Sequence, residues 1–451
     1  MLRSINPFDQ SLLEEFPFMD TATLDAKLSR AELAFKTWKR SSFAQRREMM
    51  LRVSALLRKN KDAYARHMTL EMGKVTREAL GEIEKTALAC EYFANHAEGF
   101  LTAQSIKTEA AKSYVMYQPT GAILAIMPWN FPFWQVFRFA LPALMAGNVG
   151  LLKHAPNVTR CSLIIEEIFK EAGFPEGVFQ SLTIDVNEVP RILASPFVQG
   201  VALTGSEHAG SQVGALAGKN IKHAVLELGG SDPFIVLDDA DLDKAVPVAV
   251  QSRMQNAGQS CIAAKRFIVM KSIKNDFMAR FEQGIRALRQ GNPFDADVTT
   301  GPMARLDLAE KIEQQVSASV KAGAQLITGG ARSGCNYIPA LLDGVAPGMP
   351  AFDEEMFGPV AGVIEVSSEE DAIIMANNSR YGLGASVWTR DLDKGEMFAR
   401  EIESGSVVVN ALMRSDSRLP FGGIKKSGYG RELAEAGMKE FVNVKTVVVN
   451  T

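Results

Sequence analysis

The sequence predicts an α/β fold built from two doubly wound units in succession, with a small β arm beside them. Three observations carry that expectation. Continuous apolar runs at 122–127 (Ala-Ile-Leu-Ala-Ile-Met) and 149–153 have the texture of strands buried on both faces. Amphipathic helical segments alternate with such runs, which is βαβ logic and implies parallel sheets. The same alternation starts again after residue 261, and 451 residues suffice for two or three domains.

Taken in order, the first hundred residues read as helices. Residues 26–39 and 45–61 show helical apolar spacing with charged faces, and 70–98 continues in the same style. The texture changes at 113–117, a short β-rich run that ends near Pro119. Strands follow at 122–127 and 149–153. Residues 157–172 form an amphipathic helix with Asn157 as cap and Gly173 as stop. Further strands fall at 199–203, 224–228 and 234–237. In the second unit a strand at 266–270 leads into a helix at 273–289. Strands at 360–366, 385–388 and 407–409 alternate with helices at 369–377 and 394–402. The final run, 446–450, has no partner inside the second unit. Paired with 113–117 it forms a separate sheet suited to meeting another subunit.

Composition narrows the class of function. Hydrophobic residues make up 47% and charged residues 22%, ordinary for a soluble globular protein. The net charge of −3 gives nucleic-acid or membrane-surface binding no electrostatic support. No apolar stretch approaches the ~20 residues of a membrane span, and residues 1–20 do not read as a signal peptide. The four cysteines, Cys90, Cys161, Cys261 and Cys335, are scattered without metal-ligand or disulfide spacing. A cytoplasmic protein without a metal is expected.

The chemistry-bearing candidates lie near strand ends. Cys261 follows Asn-Ala-Gly-Gln-Ser, a turn that can present a thiol. A thiol attacks carbonyl carbon only as thiolate, so it needs a lowered pKa or a base. A buried structural cysteine is the competing reading. Glu227 sits between Leu226 and Leu228 ahead of Gly229-Gly230. A carboxylate there is a base with a raised pKa or a plain strand residue. Asn130, in Pro-Trp-Asn-Phe-Pro, can donate to a developing oxyanion or merely shape a turn. No G-x-G-x-x-G is usefully placed. Instead Thr204-Gly205-Ser206 opens a helix whose N–H groups, with the Ser206 hydroxyl, can hold a dinucleotide phosphate or serve as an ordinary cap. Lys153, at a strand end, is placed to hydrogen-bond a ribose. None of the five histidines is motif-paired with Cys261, which disfavours a Cys-His protease.

Seven segments in this order resemble the aldehyde dehydrogenase superfamily: 128–132 (PWNFP), 152–153 (LK), 204–206 (TGS), 226–230 (LELGG), 256–261 (NAGQSC), 354–359 (EEMFGP) and 420–425 (PFGGIK). The resemblance covers nearly the whole chain. It implies a variant Rossmann cofactor domain over 1–107 and 121–228, a catalytic domain over 229–430, and oligomerisation segments at 108–120 and 431–451. It implies Cys261 as the nucleophile that forms a thiohemiacetal and then a thioester, Glu227 as the base for the hydrolytic water, and Asn130 with the Cys261 N–H as the oxyanion hole. Cofactor contacts fall to Met127, Trp129, Lys153, Gly205, Ser206, Leu228, Glu355 and Phe357, with Glu355 on the nicotinamide ribose and Lys153 on the adenosine ribose. Glu432 corresponds to a carboxylate that relays protons. Homodimers or homotetramers are implied as well.

Within the family, 151–157, 228–237 and 301–305 are similar to the shorter bacterial succinate-semialdehyde dehydrogenases. The alternative is another or a broad-specificity dehydrogenase, for glutarate semialdehyde or medium-chain aldehydes. A carboxylate-tailed substrate calls for a cation, and Arg138 matches an arginine used for it. The second arginine of better-known members is Gln255 here, so Arg414 or Arg418 is expected to supply the charge, beside Ser415. Position 263 is Ala, so the second thiol of some relatives is absent. Strict NAD enzymes often carry a Glu three residues after the lysine; here it is Pro156, which leaves NADP possible, with His154 as a further donor, although the subgroup points to NAD.

Overall fold

The computed structural model describes residues 1–450; Thr451, the end of the expected C-terminal arm, lies outside the described residues. Two large sheets organise the chain, as the alternation predicts. The first has six strands in the order Gly428–Tyr429, His223–Glu227, Val198–Thr204, Ala122–Met127, Val149–His154, Phe179–Ser181. The five strands between 122 and 227 run parallel, and Gly428–Tyr429 adds an antiparallel edge. The chain enters at Ala122–Met127, winds outward to Phe179–Ser181, then returns to the other flank at Val198–Thr204. That reversal is a topological switch point, and ligands of open parallel sheets bind outside the strand ends there.

The second sheet has seven strands in the order Gln325–Thr328, Ala340–Asp343, Val360–Val366, Ala264–Met270, Asp232–Val236, Gly384–Trp388, Ser406–Val409. It is parallel except for the edge strand Gln325–Thr328. Its two faces bury separate apolar clusters, one around Ile235, Ile268 and Phe352, the other around Phe234, Phe267 and Trp388. The helices Thr21–Trp38, Phe43–Lys59, Lys61–Met72 and Thr76–Phe100 pack into the core of the first sheet instead.

Three sequence expectations need correction. The first hundred residues are not all helical: Leu2–Ile5 and Leu12–Phe16 form a hairpin whose short, mixed strands lack a clear period. The helical stretch expected from residue 70 is broken, because Gly73 takes a left-handed φ of 77° and caps the third helix. Asn157 is not a cap; it lies in a 3₁₀ turn, and the helix Thr159–Glu171 starts without a side-chain cap. Gly173 does end that helix with a φ of 89°.

The arm is a three-stranded antiparallel sheet in which Val442–Val449 pairs with Lys112–Pro119 along eight residues. Asn148 locks its base to the first sheet. Its side chain is fully buried; Oδ1 accepts from Thr120 N at 2.8 Å and Gly121 N at 3.1 Å, and Nδ2 donates to Phe441 O at 2.8 Å. Asn148→Ala strands these buried partners, each worth about 1–3 kcal/mol when left unpaired. A lowered urea midpoint at constant slope is the expected outcome, and an unchanged midpoint contradicts it.

Candidate active site

The two sheets meet at a seam. His223–Glu227 ends at the carboxyl edge of the first sheet, and residues 228–231 lead directly into Asp232–Val236 of the second. Cys261 lies on the loop just before Ala264–Met270, at the amino edge of the second sheet. Hydrogen bonds cross the seam from that loop to the first switch point. Asn256 Nδ2 donates to Asn130 O at 2.9 Å, and Asn130 Nδ2 donates to Gln259 O at 3.2 Å.

The loop is held in an unusual conformation. Asn256, Ala257 and Gly258 all have left-handed φ, at 55°, 51° and 70°. Two fully buried cations that the sequence reading missed stitch it down. Lys265 Nζ donates to the carbonyls of Ser260 (3.0 Å), Cys261 (2.7 Å) and Ala263 (3.1 Å). Arg253 donates to Gly258 O, to Gly358 O at 2.6 Å and to Ala264 O at 3.1 Å. The available signal was the pair Lys265-Arg266 inside an otherwise apolar strand. Glu78 adds a carboxylate that accepts from Asn256 N at 2.9 Å.

Cys261 is partly exposed at the wall of a cavity of about 740 Å³. Arg138, Gln255, Ser415, Arg414 and Arg418 line the same cavity, so the structure brings together the expected thiol and all the expected substrate-side residues. Asn130 and Glu227 do not line it and lie buried beside it. Most cavity charges are already paired. Glu82 pairs with Lys74 and accepts from Phe133 N and Trp134 N; Glu84 pairs with Arg58; Asp416 pairs with Arg418. Two cations on the wall, Lys85 and Arg414, have no carboxylate within 4.0 Å among the described residues, so the residual charge of the cavity is positive. Lys85 was hidden in the sequence on what read as the charged face of a helix.

Arg138 is a buried member of an ion pair with Glu432, over the ring of Phe421, and its Nη2 donates to Thr204 Oγ1 at 3.3 Å. The expected substrate anchor is therefore already ion-paired, although it lines the cavity wall. Glu227 is 2% exposed, and its Oε1 has no hydrogen-bond partner. Burial drives its pKa well above the usual carboxylate range; Glu432 adds to the rise, while Arg138 and Arg431 oppose it. Arg138 is ion-paired to Glu432, so it offsets the rise at Glu227 only in part. Burial also pushes the Cys261 thiol up to about 11 against the pull of Arg138 and Lys265.

The expected cofactor residues gather on the switch-point side. Trp129 and Phe357 meet edge to face at 5.8 Å. Glu355 Oε1 accepts from Gly230 N at 3.0 Å, and a Cβ on Gly229 would collide with the carboxylate, so the glycine lets Glu355 lie on this backbone. Ser206 caps the helix Glu207–Lys219, Gly205 N donates to Glu227 O at 3.0 Å, and Leu228 packs on Gly210 of that helix. Met127 ends its strand, buried, and the exit chain turns there. Lys153 Nζ has one contact, at 3.5 Å, to its neighbour's carbonyl, and so keeps free donors at the strand end. His154 does not join it. Nδ1 accepts from Ala155 N at 2.9 Å and Nε2 donates to Pro132 O at 2.9 Å, and burial lowers its pKa to about 4, so the ring is neutral and occupied.

A thiol at the seam of two doubly wound sheets, facing a switch point without a glycine fingerprint, defines a dinucleotide-dependent enzyme that works through a covalent thiol adduct. The chain belongs to the aldehyde dehydrogenase family, whose model matches residues 1–447. It is 48% identical, over 99% of both chains, to a Synechocystis sp. protein named probable succinate-semialdehyde dehydrogenase, NADP(+). It is 43% identical, over 98% of this chain and 97% of the relative, to the Escherichia coli succinate semialdehyde dehydrogenase, NAD(P)+, Sad. The crystal structure of a Streptococcus pyogenes succinic semialdehyde dehydrogenase with NADP+ superposes with a TM-score of 0.98 at 37% identity, over the full length of both chains. The chain is accordingly an NAD(P)-dependent aldehyde-oxidising enzyme. No helix among the described residues is long and apolar enough to cross a membrane, and no acidic, His or Cys cluster among them suits a metal.

The raised thiol makes alkylation a direct probe. The rate of Cys261 modification by iodoacetamide should climb about tenfold per pH unit between pH 7 and 10, following the thiolate fraction below a pKa of about 11. A rate already level below pH 8 contradicts this.

Proposed function

We propose that the protein oxidises succinate semialdehyde to succinate with NADP+ as its preferred cofactor. The observation that carries the substrate is the cavity wall: the thiol shares it with cations left over after every acid but one has found a cationic partner. That remaining acid, Glu78, serves the Asn256 N–H. A small aldehyde with an anionic tail matches such a cavity, and relatives named for this substrate support the reading. Their names also favour NADP over NAD, the cofactor to which the sequence comparison pointed first. Pro156 places no carboxylate three residues past Lys153 to repel a 2′-phosphate.

In the reaction the Cys261 thiol first loses its proton to solvent; the thiolate sulfur then bonds to the aldehyde carbon, and the C=O π bond breaks to leave an alkoxide on the oxygen. Asn130 Nδ2, which spends one N–H on Gln259 O, has a second to donate to that oxygen, alongside the Cys261 N–H. Each such donor contributes on the order of 2.7–4 kcal/mol in comparable sites. A bound nicotinamide would supply the acceptor for the hydride that the alkoxide expels. Lys153 and Glu355 are the residues that would hold its two riboses, and the Trp129 and Phe357 rings would flank its nicotinamide end. The resulting thioester carbon is attacked by water, whose proton passes to Glu227; the C–S bond breaks and succinate leaves. The Arg138–Glu432 pair beside Glu227 sets when that carboxyl can accept a proton. The exposed valines of the arm, Val444, Val448 and Val449, support assembly as a homodimer or homotetramer.

Steady-state kinetics on succinate semialdehyde, glutarate semialdehyde and butanal, each with NADP+ and NAD+, test the reading. The highest kcat/KM is expected for succinate semialdehyde with NADP+; a preference for butanal overturns the substrate. Cys261→Ser should abolish turnover. Glu227→Gln should leave a single-turnover burst of NADPH while the steady rate drops roughly 100-fold or more, within the usual range for a lost general base. A normal steady rate in that variant would remove Glu227 from the mechanism.

A further inference from the structure

We infer that Lys85, on the helix Thr76–Phe100, is the specificity-determining residue that grips the far carboxylate of the substrate, together with the Ser415 hydroxyl. This rests on the proposed semialdehyde-acid substrate and assigns the anchor that Gln255 cannot provide.

The other basic residues of the cavity are committed elsewhere or exposed. Arg138 is committed to Glu432. Arg418 is committed to Asp416 through Nε at 2.9 Å and Nη2 at 2.6 Å, and its side chain is 73% exposed. Arg414 is exposed at the rim. Lys85 alone is both half-buried in the wall and free of a carboxylate. Its ammonium sits 4.1 Å over the Trp134 ring and donates to Ser415 Oγ at 2.8 Å. Trp134 Nε1 donates to the same oxygen at 3.1 Å. With two donors aimed at its lone pairs, the Ser415 hydroxyl must turn its own proton elsewhere. A free O–H and the remaining ammonium N–H groups then stand side by side in the cavity that holds the thiol, which is a two-point carboxylate receptor. The buried Trp134 ring fixes the lysine stem, so the ammonium is held in place before substrate arrives.

The surroundings give this anchor a pH range. Burial is the largest influence on Lys85; Arg138 from the helix Trp134–Met145 and Arg414 from the loop after the strand Ser406–Val409 lower its pKa further, and Glu82 and Asp416 raise it, for a value of about 8. The charged, carboxylate-binding form therefore predominates below pH 8 and is lost above it.

The test compares kcat/KM for succinate semialdehyde and for butanal in wild type, Lys85→Met and Lys85→Arg, with NADP+ at pH 7. In Lys85→Met the ratio of the two should fall roughly 10- to 100-fold, the range of a hydrogen bond to a charged group, and Lys85→Arg should keep most of it. An unchanged ratio in Lys85→Met overturns the assignment. If wild type itself shows no preference for the acid, the proposed substrate fails and the assignment fails with it. If wild type prefers the acid and Lys85→Met still does, only the lysine is wrong. A second measurement needs no variant: the wild-type KM for succinate semialdehyde should rise above about pH 8 while that for butanal does not. Parallel profiles would count against Lys85.

Discussion

Everything at this site depends on a turn that L-residues avoid. Asn256 and Ala257 stand at left-handed φ, a conformation that costs roughly 1–2 kcal/mol per non-glycine residue. Such backbone persists only where neighbours over-determine it, and here they do. Arg253 and Lys265, buried on either side, spend their donors on carbonyls of the loop and of the residues that flank it, Gly258, Ser260, Cys261 and Ala263 among them. Across the seam Asn256 Nδ2 donates to Asn130 O and Asn130 Nδ2 donates to Gln259 O. Gly258 has no room for a side chain against Gly358 O and Arg253, so the glycine is set by packing as well as by φ. The thiol is thus delivered by a small rigid device whose buried cations spend their hydrogen bonds on carbonyls, with the Glu355 carboxylate 3.8 Å from Lys265 Nζ as a more distant counter-ion.

Nearby cations compete with burial at both the thiol and the carboxyl. Cys261 has cations near it and still rises to about 11, so desolvation wins over attraction at rest. Glu227 has Arg138 nearby, but the arginine is ion-paired to Glu432, so burial and that second carboxyl carry the Glu227 pKa upward against it. At both groups burial outweighs the surrounding cations and disfavours the charged form.

The legible parts of the sequence were those governed by local pattern. Strands buried on both faces, such as Ala122–Met127, declared themselves by unbroken apolar runs, and Cys261, Glu227 and Asn130 stood out because polar residues sat at strand ends. The hairpin at the N-terminus was not legible, because its strands are short and their pairing is with each other. Lys85 and Lys265 were not legible for a different reason. A lysine on a helix or strand looks the same whether it meets water or wall, and only the fold brings Lys85 to Ser415, 330 residues away. The Arg138–Glu432 pair is equally long-range, and it turned an expected substrate anchor into a partner of the catalytic carboxyls.

The segment that closes this contact also carries the other end of the site. Residues 413–434 supply Ser415 to the substrate tail, Phe421 to the face of Arg138, and Glu432 to the pair beside Glu227. Phe421 and Glu432 bond each other reciprocally through their backbones at 2.8 and 2.7 Å, which closes the segment into a loop. Leu433 and Ala434 follow at positive φ, so the closure is held against local preference by burial of Leu433 in the core of the first sheet. Ser415, proposed to meet the substrate tail, and Glu432, the ion-pair partner of Arg138, therefore sit on one constrained loop, while Glu227 itself ends the strand His223–Glu227.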